Sequence, residues 1–287
     1  PSEPVVGLMV ASLAPAPDLV WFRGPDAIRF LNDLISQEIG DLSPGTVTRS
    51  LLLGPQGKLQ FILWVLRGEE EVALATEDGR GEELAAGLGR FRIRVKVDIE
   101  PETRPMWLVV GDDTVEPRTW IDDGKQLRAD ISWPMSRREL RVGGPKPDLP
   151  ELGRHDVDAL RIANGEPLMG IDVDETTIPQ ETGLVPATIS FTKGCFLGQE
   201  LVARLDSRGG RVNNHLRLLE FSRDGVEVGT ELTTPERTVG RVSTVAGTAG
   251  LALVWREVEP GSTVLAGEVE TSTLPLPQKT AGSFTAS

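Results

Sequence analysis

The sequence predicts an α+β chain of more than one domain that ends in a small all-β unit. Three observations carry this. A helical stripe of Ala27, Phe30, Leu31, Leu34 and Ile35 is followed at once by strand-like runs at 47–53, 59–66 and 72–75. Helical patterns return near residues 79–88, 156–164 and 199–205. Beyond Gly209, short apolar runs alternate with Gly and Pro, the pattern of a small barrel or sandwich.

In chain order, Pro25 suits the first position of a helix running to Ile35. Gly54-Pro55-Gln56-Gly57 reads as the turn between the first two strands, and residues 79–88 read as a short helix. Residues 91–99 alternate. Arg90, Arg92, Arg94 and Lys96 fall on one predicted strand face, and Phe91, Ile93, Val95 and Val97 on the other. Four cations on a face can receive an anionic ligand tail, or they can simply be solvated. Strands are expected at 107–110 and 139–142. A helix starting at Asp156 as N-cap should end at Asn164-Gly165, before Pro167. Residues 172–189 read as a long loop. Strands are expected at 216–221, 231–233, 239–245, 250–255 and 263–269, and residues 275–287 read as a disordered tail.

Composition narrows the function classes. With 287 residues, 39% hydrophobic and 25% charged, the chain can bury a large core. Its net charge of −13 argues against nucleic acid as a partner. No apolar run reaches the ~18 residues of a membrane span, and residues 1–20 lack the basic start of a secretory signal. With a single cysteine, Cys195, no internal disulfide can form, and a cytoplasmic setting is expected. One Cys and two His cannot supply a four-ligand Cys/His zinc site or a four-cysteine cluster, so no metal is expected to be bound by this chain alone. Gly57-Lys58 is not a phosphate loop: Leu52 stands where that motif needs Gly, and Leu59 where it needs Ser or Thr.

The densest constellation is Lys193-Gly194-Cys195-Phe196-Leu197-Gly198-Gln199-Glu200. Gly194 and Gly198 bracket the cysteine and permit a tight loop. Residues 199–205 read as helix, which places Cys195 just before a helix start, where free N–H groups favour a thiolate. Lys193 would add a positive charge. Two readings stand: a reactive thiol, or a small buried hydrophobe.

This octapeptide resembles the signature of the YgfZ family, tetrahydrofolate-binding proteins related to the glycine-cleavage T-protein. Val202-Ala203-Arg204, Arg208-Gly209, Arg161-Ile162-Ala163, Gly24-Pro25-Asp26-Ala27 and Pro55-Gln56-Gly57-Lys58 fit the same family, and Val239-Gly240-Arg241-Val242-Ser243 resembles the T-protein barrel. The resemblance implies a three-domain ring around a central folate channel. Residues 5–45 and 101–208 would form a discontinuous first domain, 46–100 an inserted second and 209–274 the C-terminal barrel. It implies tetrahydrofolate or a one-carbon derivative as ligand, and iron–sulfur enzymes or assembly proteins as partners. It also implies a role in assembling, repairing or maintaining such enzymes. Cys195 would be the working thiol and Lys193 its cationic neighbour, with Gly194, Gly198, Gln199, Glu200 and Arg204 ordering loop and helix.

The T-protein motif carries paired aspartates after the glycine turn. Here Phe61 and Ile62 stand in their place, with no proton to give. Ala163 replaces the glutamate that holds the pterin. Classical aminomethyl transfer therefore loses its key group, leaving a one-carbon transferase with another acid, or a non-catalytic scaffold with a vestigial pocket, as alternatives. For folate itself, Gln180, Glu181 or Glu200 could grip the pterin edge. Phe191, Trp21 and Trp64 could wall the ring, and Arg94 with its neighbours, or Arg204, could take the glutamate tail.

Overall fold

The structure, a computed structural model, describes residues 9–11, 17–111 and 114–277. It contains two sheets and a barrel. The first sheet is antiparallel, in the order Thr46–Leu53, Leu59–Arg67, Glu71–Thr76, Asp18–Arg23 and Asp98–Pro101. The second runs Glu151–Leu152, Met9–Ala11, Met106–Val110, Arg138–Val142, Leu127–Asp130 and Trp120–Asp122, with only its first pair parallel. The first sheet thus draws strands from both sides of the expected 45/46 boundary.

Each face of the first sheet buries a different partner. Trp21, Val47, Trp64 and Ala73 meet Leu108, Val110, Leu127 and Leu140 of the second sheet in one apolar layer. On the opposite face Phe22, Leu63, Val65 and Leu74 pack against helices α1 (Ala27–Asn32) and α2 (Gly81–Gly89). Alternation along Leu59–Arg67 produces both contacts, as the period-two rule requires.

Helix α1 is shorter than its apolar stripe. The chain leaves the helix after Asn32, and Ile35 bridges Leu52 at the sheet instead. Helix α3 (Arg154–Asn164) starts three residues earlier than expected. Gly153 is the N-cap, and Asp156, at the third helical position, accepts a hydrogen bond from the Gly153 N–H at 3.0 Å. Gly165 closes it in the left-handed region, at φ 58°. The expected loop at 172–189 holds a 3-10 turn, Pro179–Glu181, and a one-turn helix, α4 (Val185–Thr188).

The strand expected at 91–99 does not form before Asp98. After α2 the chain passes through Arg94 at φ 59°, which breaks the alternation. Val97 is buried, but Phe91 is 43% and Ile93 73% exposed. The four cations therefore share an exposed loop, not a strand face.

The C-terminal unit is a closed six-stranded barrel in the order Asn214–Phe221, Ala249–Trp255, Thr238–Ala246, Glu231–Thr233, Thr263–Ala266 and Val269–Leu274. The run expected as one strand at 263–269 is two, turning at Gly267 (φ 60°). An ionic network fastens the barrel to α3. Arg161 Nη1 donates to Asp172 Oδ2 at 2.6 Å and Nη2 to Thr244 Oγ1 at 3.0 Å, while Ser243 and Thr244 hydroxyls both donate to Asp172 Oδ1 at 2.6 Å. Of the expected tail, residues 278–287 lie outside the described residues. Residues 275–277 are not loose: Leu276 packs beside Gly165 and Gly183, where a methyl group on either glycine would stand 2.8 or 2.6 Å from it.

Candidate functional site

The cysteine loop joins α4 to α5 (Gln199–Ser207) and is pinned from three directions. Phe196 packs with Leu51, Leu53, Met169 and Val202. Leu197 packs in the other direction, with Phe30, Leu31 and Leu34. Lys193 supplies the third anchor. Its Nζ donates to the carbonyls of Asn32 (2.6 Å), Ile35 (2.9 Å) and Gln37 (2.9 Å), at and just beyond the end of α1. Such carbonyls have no intrahelical donor and accept a cation readily. Burial lowers the Lys193 pKa to about 8, against the opposing pull of Glu38 and Asp33.

Gln199 closes the loop on itself. Its Oε1 accepts from the Phe196 N–H at 3.2 Å, while its own N–H donates to the Phe196 carbonyl at 3.3 Å. Gly198 stands at φ 78° with no space for a side chain: a Cβ there would lie 2.4 Å from the Gly54 carbonyl oxygen. Gly194 carries no such constraint, since nothing lies within 4 Å of where its Cβ would be. Only one of the two bracketing glycines is therefore required by the backbone.

What remains outside this packing is Cys195, free and exposed. The reading as a buried hydrophobe is excluded. Lys193 is occupied by carbonyls, and no hydrogen bond joins it to Cys195 among the described residues, so its part is to position the loop. Glu200 and Arg204 are exposed on α5 and their side chains make no hydrogen bond among the described residues. The loop is ordered by Lys193, Phe196, Leu197 and Gln199 without them.

A cleft opens between the first sheet, α3 and the chain after it. Arg49, Ile62, Trp64, Glu77, Trp133 and Glu166 are among its walls. Ile62 and Met169 line it and also belong to the apolar cluster that holds Phe196. The Arg49 guanidinium grips Glu166 with two parallel hydrogen bonds, 2.9 and 3.0 Å, and lies 4.8 Å from the Trp64 ring. Arg49 Nε is buried without a partner. Trp64 Nε1 donates to Glu77 at 3.0 Å, and Arg138 reaches the same carboxylate at 2.5 Å. The empty space is about 390 Å³ with open solvent included, but the centres of water-sized molecules have only about 30 Å³ to occupy. The chemistry suits a flat polar ring: aromatic walls, carboxylates and one unused buried donor. The room, in this conformation, suits a few waters.

Of the folate contacts expected from the sequence, Trp64 lines this cleft; Gln180, Glu181, Phe191, Arg204, Arg94 and Trp21 do not. Trp21 is sealed in the core, its Nε1 donating to Glu102 at 3.0 Å. Glu181 accepts from the Ile178 N–H and from Asn214 of the barrel, which makes it a fastening between units. Gln180 donates to the Val202 carbonyl at 3.4 Å, and its Oε1 is buried without a partner. Phe191 is 48% exposed beside the cysteine loop. Arg94 lines a different cleft, over α1. Phe61 lies in the helix-side core beneath the Arg80 guanidinium, 4.4 Å from its ring, whereas Ile62 faces the central cleft. Arg49, Glu77, Trp133 and Glu166 had no sequence signal. They come from four separate segments, and only the fold brings them together.

No protein-family model matches the chain. It is 29% identical over 276 residues to the mitochondrial iron–sulfur cluster assembly factor IBA57 of Homo sapiens, covering 83% of this chain and 75% of that protein. It is likewise 29% identical over 302 residues to an aminomethyltransferase of Rubrobacter xylanophilus, covering 90% and 80%. The crystal structure of glycine cleavage system aminomethyltransferase T from Bartonella henselae superposes with a TM-score of 0.82 at 18% identity, over 95% of this chain and 86% of that one. That match shows the fold.

Proposed function

We propose that this chain, a relative of the IBA57 assembly factors and of the aminomethyltransferases with the fold of the latter, is an accessory protein for the assembly, repair or maintenance of iron–sulfur enzymes, with Cys195 as its working group. The observation that carries this reading is the contrast within one loop. Lys193, Phe196, Leu197, Gly198 and Gln199 all face inward or are held by hydrogen bonds, and the single thiol of the chain is left in solvent. An exposed thiol is a nucleophile and a metal ligand once deprotonated. One thiol cannot hold a cluster that needs four ligands, and no group of three or more His, Cys, Asp or Glu stands together among the described residues. Any cluster handled here is cargo whose other ligands come from a partner.

Tetrahydrofolate, or a one-carbon derivative, is the small ligand of this reading. Glu77 and Asp78, both on the cleft wall, would hold the pterin edge and Arg49 Nε an acceptor. Trp64 and Trp133 would cover its faces on the sides not taken by the Arg49 and Arg138 guanidiniums. Bound there, folate would supply one-carbon chemistry or a reductant. The chain's own residues bind and orient it, and exclude water once closed. Entry requires the Arg49–Glu166 clamp or an aromatic wall to move, given the little room present.

Complementation tests the reading. The chain, expressed in a strain whose iron–sulfur enzyme activities are low because it lacks its own accessory factor of this kind, is expected to restore those activities; unchanged activity at normal expression contradicts it.

The aminomethyltransferase relatives favour a second reading, a folate-dependent one-carbon transferase. Against its classical form, Ile62 presents a hydrocarbon to the cleft at the place of the aspartate pair, so a transferase here would have to use Glu77, Asp78 or Glu166 of the same cleft. Single-turnover incubation with an aminomethyl donor and tetrahydrofolate separates the two, because product formation supports only the transferase.

A further inference from the structure

We infer that the cleft between α1 and residues 90–97 is the docking surface for a partner protein that presents carboxylates around an apolar side chain. The inference rests on the accessory-factor reading for what docking achieves, but not for whether docking occurs.

The cleft has an apolar floor of Phe30, Leu34 and Val95 and holds about 780 Å³ with open solvent included. Phe91, 43% exposed, lines it, and Ile93, 73% exposed, follows two residues later in the same segment. Two large apolar side chains so placed, beside a concave floor, are unusual on a surface that faces only water. Arg94 lines the cleft, and Arg90 and Lys96 flank it along the chain. All three are exposed, and none makes an ion pair among the described residues, although the chain as a whole carries −13. Arg23, Arg49, Arg80, Arg104, Arg128 and Arg161 have carboxylate partners, whereas Arg204, Arg208, Arg223 and Arg256 have no ion pair among the described residues. What sets this place apart is therefore the clustering of its cations beside exposed apolar side chains. Within the cleft Arg29 and Arg94 balance Asp26 and Asp33, and the neighbouring Arg90 and Lys96 tip the local potential positive, since charges beyond about 8 Å are screened at physiological salt. That field selects an acidic face.

The loop is also held in place. Asp26 accepts a hydrogen bond from the Lys96 N–H at 2.7 Å, and Gly24 approaches the Lys96 carbonyl so closely that a Cβ would stand 2.5 Å away. The surface is therefore preformed, which lowers the entropy cost of binding. One further feature favours a protein over an anionic lipid surface: a concave floor accepts a side chain, not a plane. The cysteine loop shares this ground: Leu197, two residues after Cys195, packs in the cluster that contains Phe30, Leu34 and Val95. A partner seated in the cleft therefore sits against the same apolar cluster that anchors the cysteine loop through Leu197.

The test places a benzoylphenylalanine cross-linker at position 93 in the full chain in the producing cell, with position 265 of the barrel as an equally apolar, exposed control. The expected result is a discrete protein adduct at 93, absent at 265, whose cross-linked peptide is rich in Asp and Glu. The Arg90→Glu/Arg94→Glu variant should keep its unfolding midpoint and lose roughly tenfold of the adduct, because reversing interface charges acts through the local potential. An adduct unchanged by the reversal overturns the inference. So does adduct formation no greater than at 265, or flotation of the purified chain with phosphatidylglycerol–phosphatidylcholine vesicles. Cross-linking needs neither folate nor an active thiol, so a failure of the accessory-factor reading leaves this result standing, and the reverse.

Discussion

Gly57 and Gly198 touch backbone to backbone: a Cβ on Gly198 would lie 3.1 Å from the Gly57 Cα, and a Cβ on Gly57 would lie 2.9 Å from the Gly198 carbonyl oxygen. Both have positive φ, 74° and 78°. The turn between two strands of the first sheet is thus stacked on the start of α5, and the cysteine loop takes its position from that contact.

Gly198→Ala is therefore expected to destabilise by about 2–3 kcal/mol, combining left-handed strain with a forced backbone shift. Gly194→Ala should change stability by less than about 0.5 kcal/mol, as exposed substitutions away from special geometry do. Urea unfolding midpoints measure both, and equal effects at the two glycines would contradict the placement of the constraint at Gly198.

Lys193 predicts a pH dependence. Its pKa in the folded chain is about 8, below the ordinary 10.5, because burial disfavours the charge. Between about pH 8 and 10 the unfolded chain holds a proton that the folded chain has released, so this group adds stability as pH rises through that window. The stability advantage of the native chain over Lys193→Met is expected to be larger at pH 9.5 than at pH 7.5. A difference that stays constant or shrinks contradicts the assignment.

Asp172 is the hub between α3 and the barrel. Asp172→Ala removes one partner of buried Arg161 but leaves Asp158 at 3.1 Å, so the loss is expected to be substantial yet below the ~3–5 kcal/mol of a fully orphaned buried pair. Calorimetry should show the loss as a lower melting temperature, and a shift no larger than that of an exposed charge would refute the role of the network.

Equilibrium dialysis with reduced folate tests the central cleft. Saturable binding at sub-millimolar ligand is expected. Arg49→Met/Glu166→Gln removes the clamp without leaving a lone buried charge and should weaken binding by at least about tenfold, the scale of one charged hydrogen bond. Unaltered binding in that variant would move the site elsewhere.

How much of this was legible in the sequence depends on how local each signal is. The hairpin around Gly57, the Gly165 helix stop and the barrel strands were readable because turn glycines and period-two alternation are set within a few residues. Residues 91–99 alternate as well as any strand, yet Arg94 turns the other way. Periodicity states which side chains would share a face, not whether a neighbouring strand exists to pair with. The cysteine motif was readable as a loop before a helix. The destination of Lys193, on carbonyls more than 150 residues earlier in the chain, was not. The cleft was least legible of all, because Arg49 and Glu166 meet only across two folded units.

The most direct test is Cys195→Ala. The substitution removes one exposed sulfur, touches no packing anchor of the loop and should leave the melting temperature unchanged. The account predicts that the folded variant no longer restores iron–sulfur enzyme activity in a strain that the native chain rescues. Full rescue by the variant, at equal protein level, would contradict it.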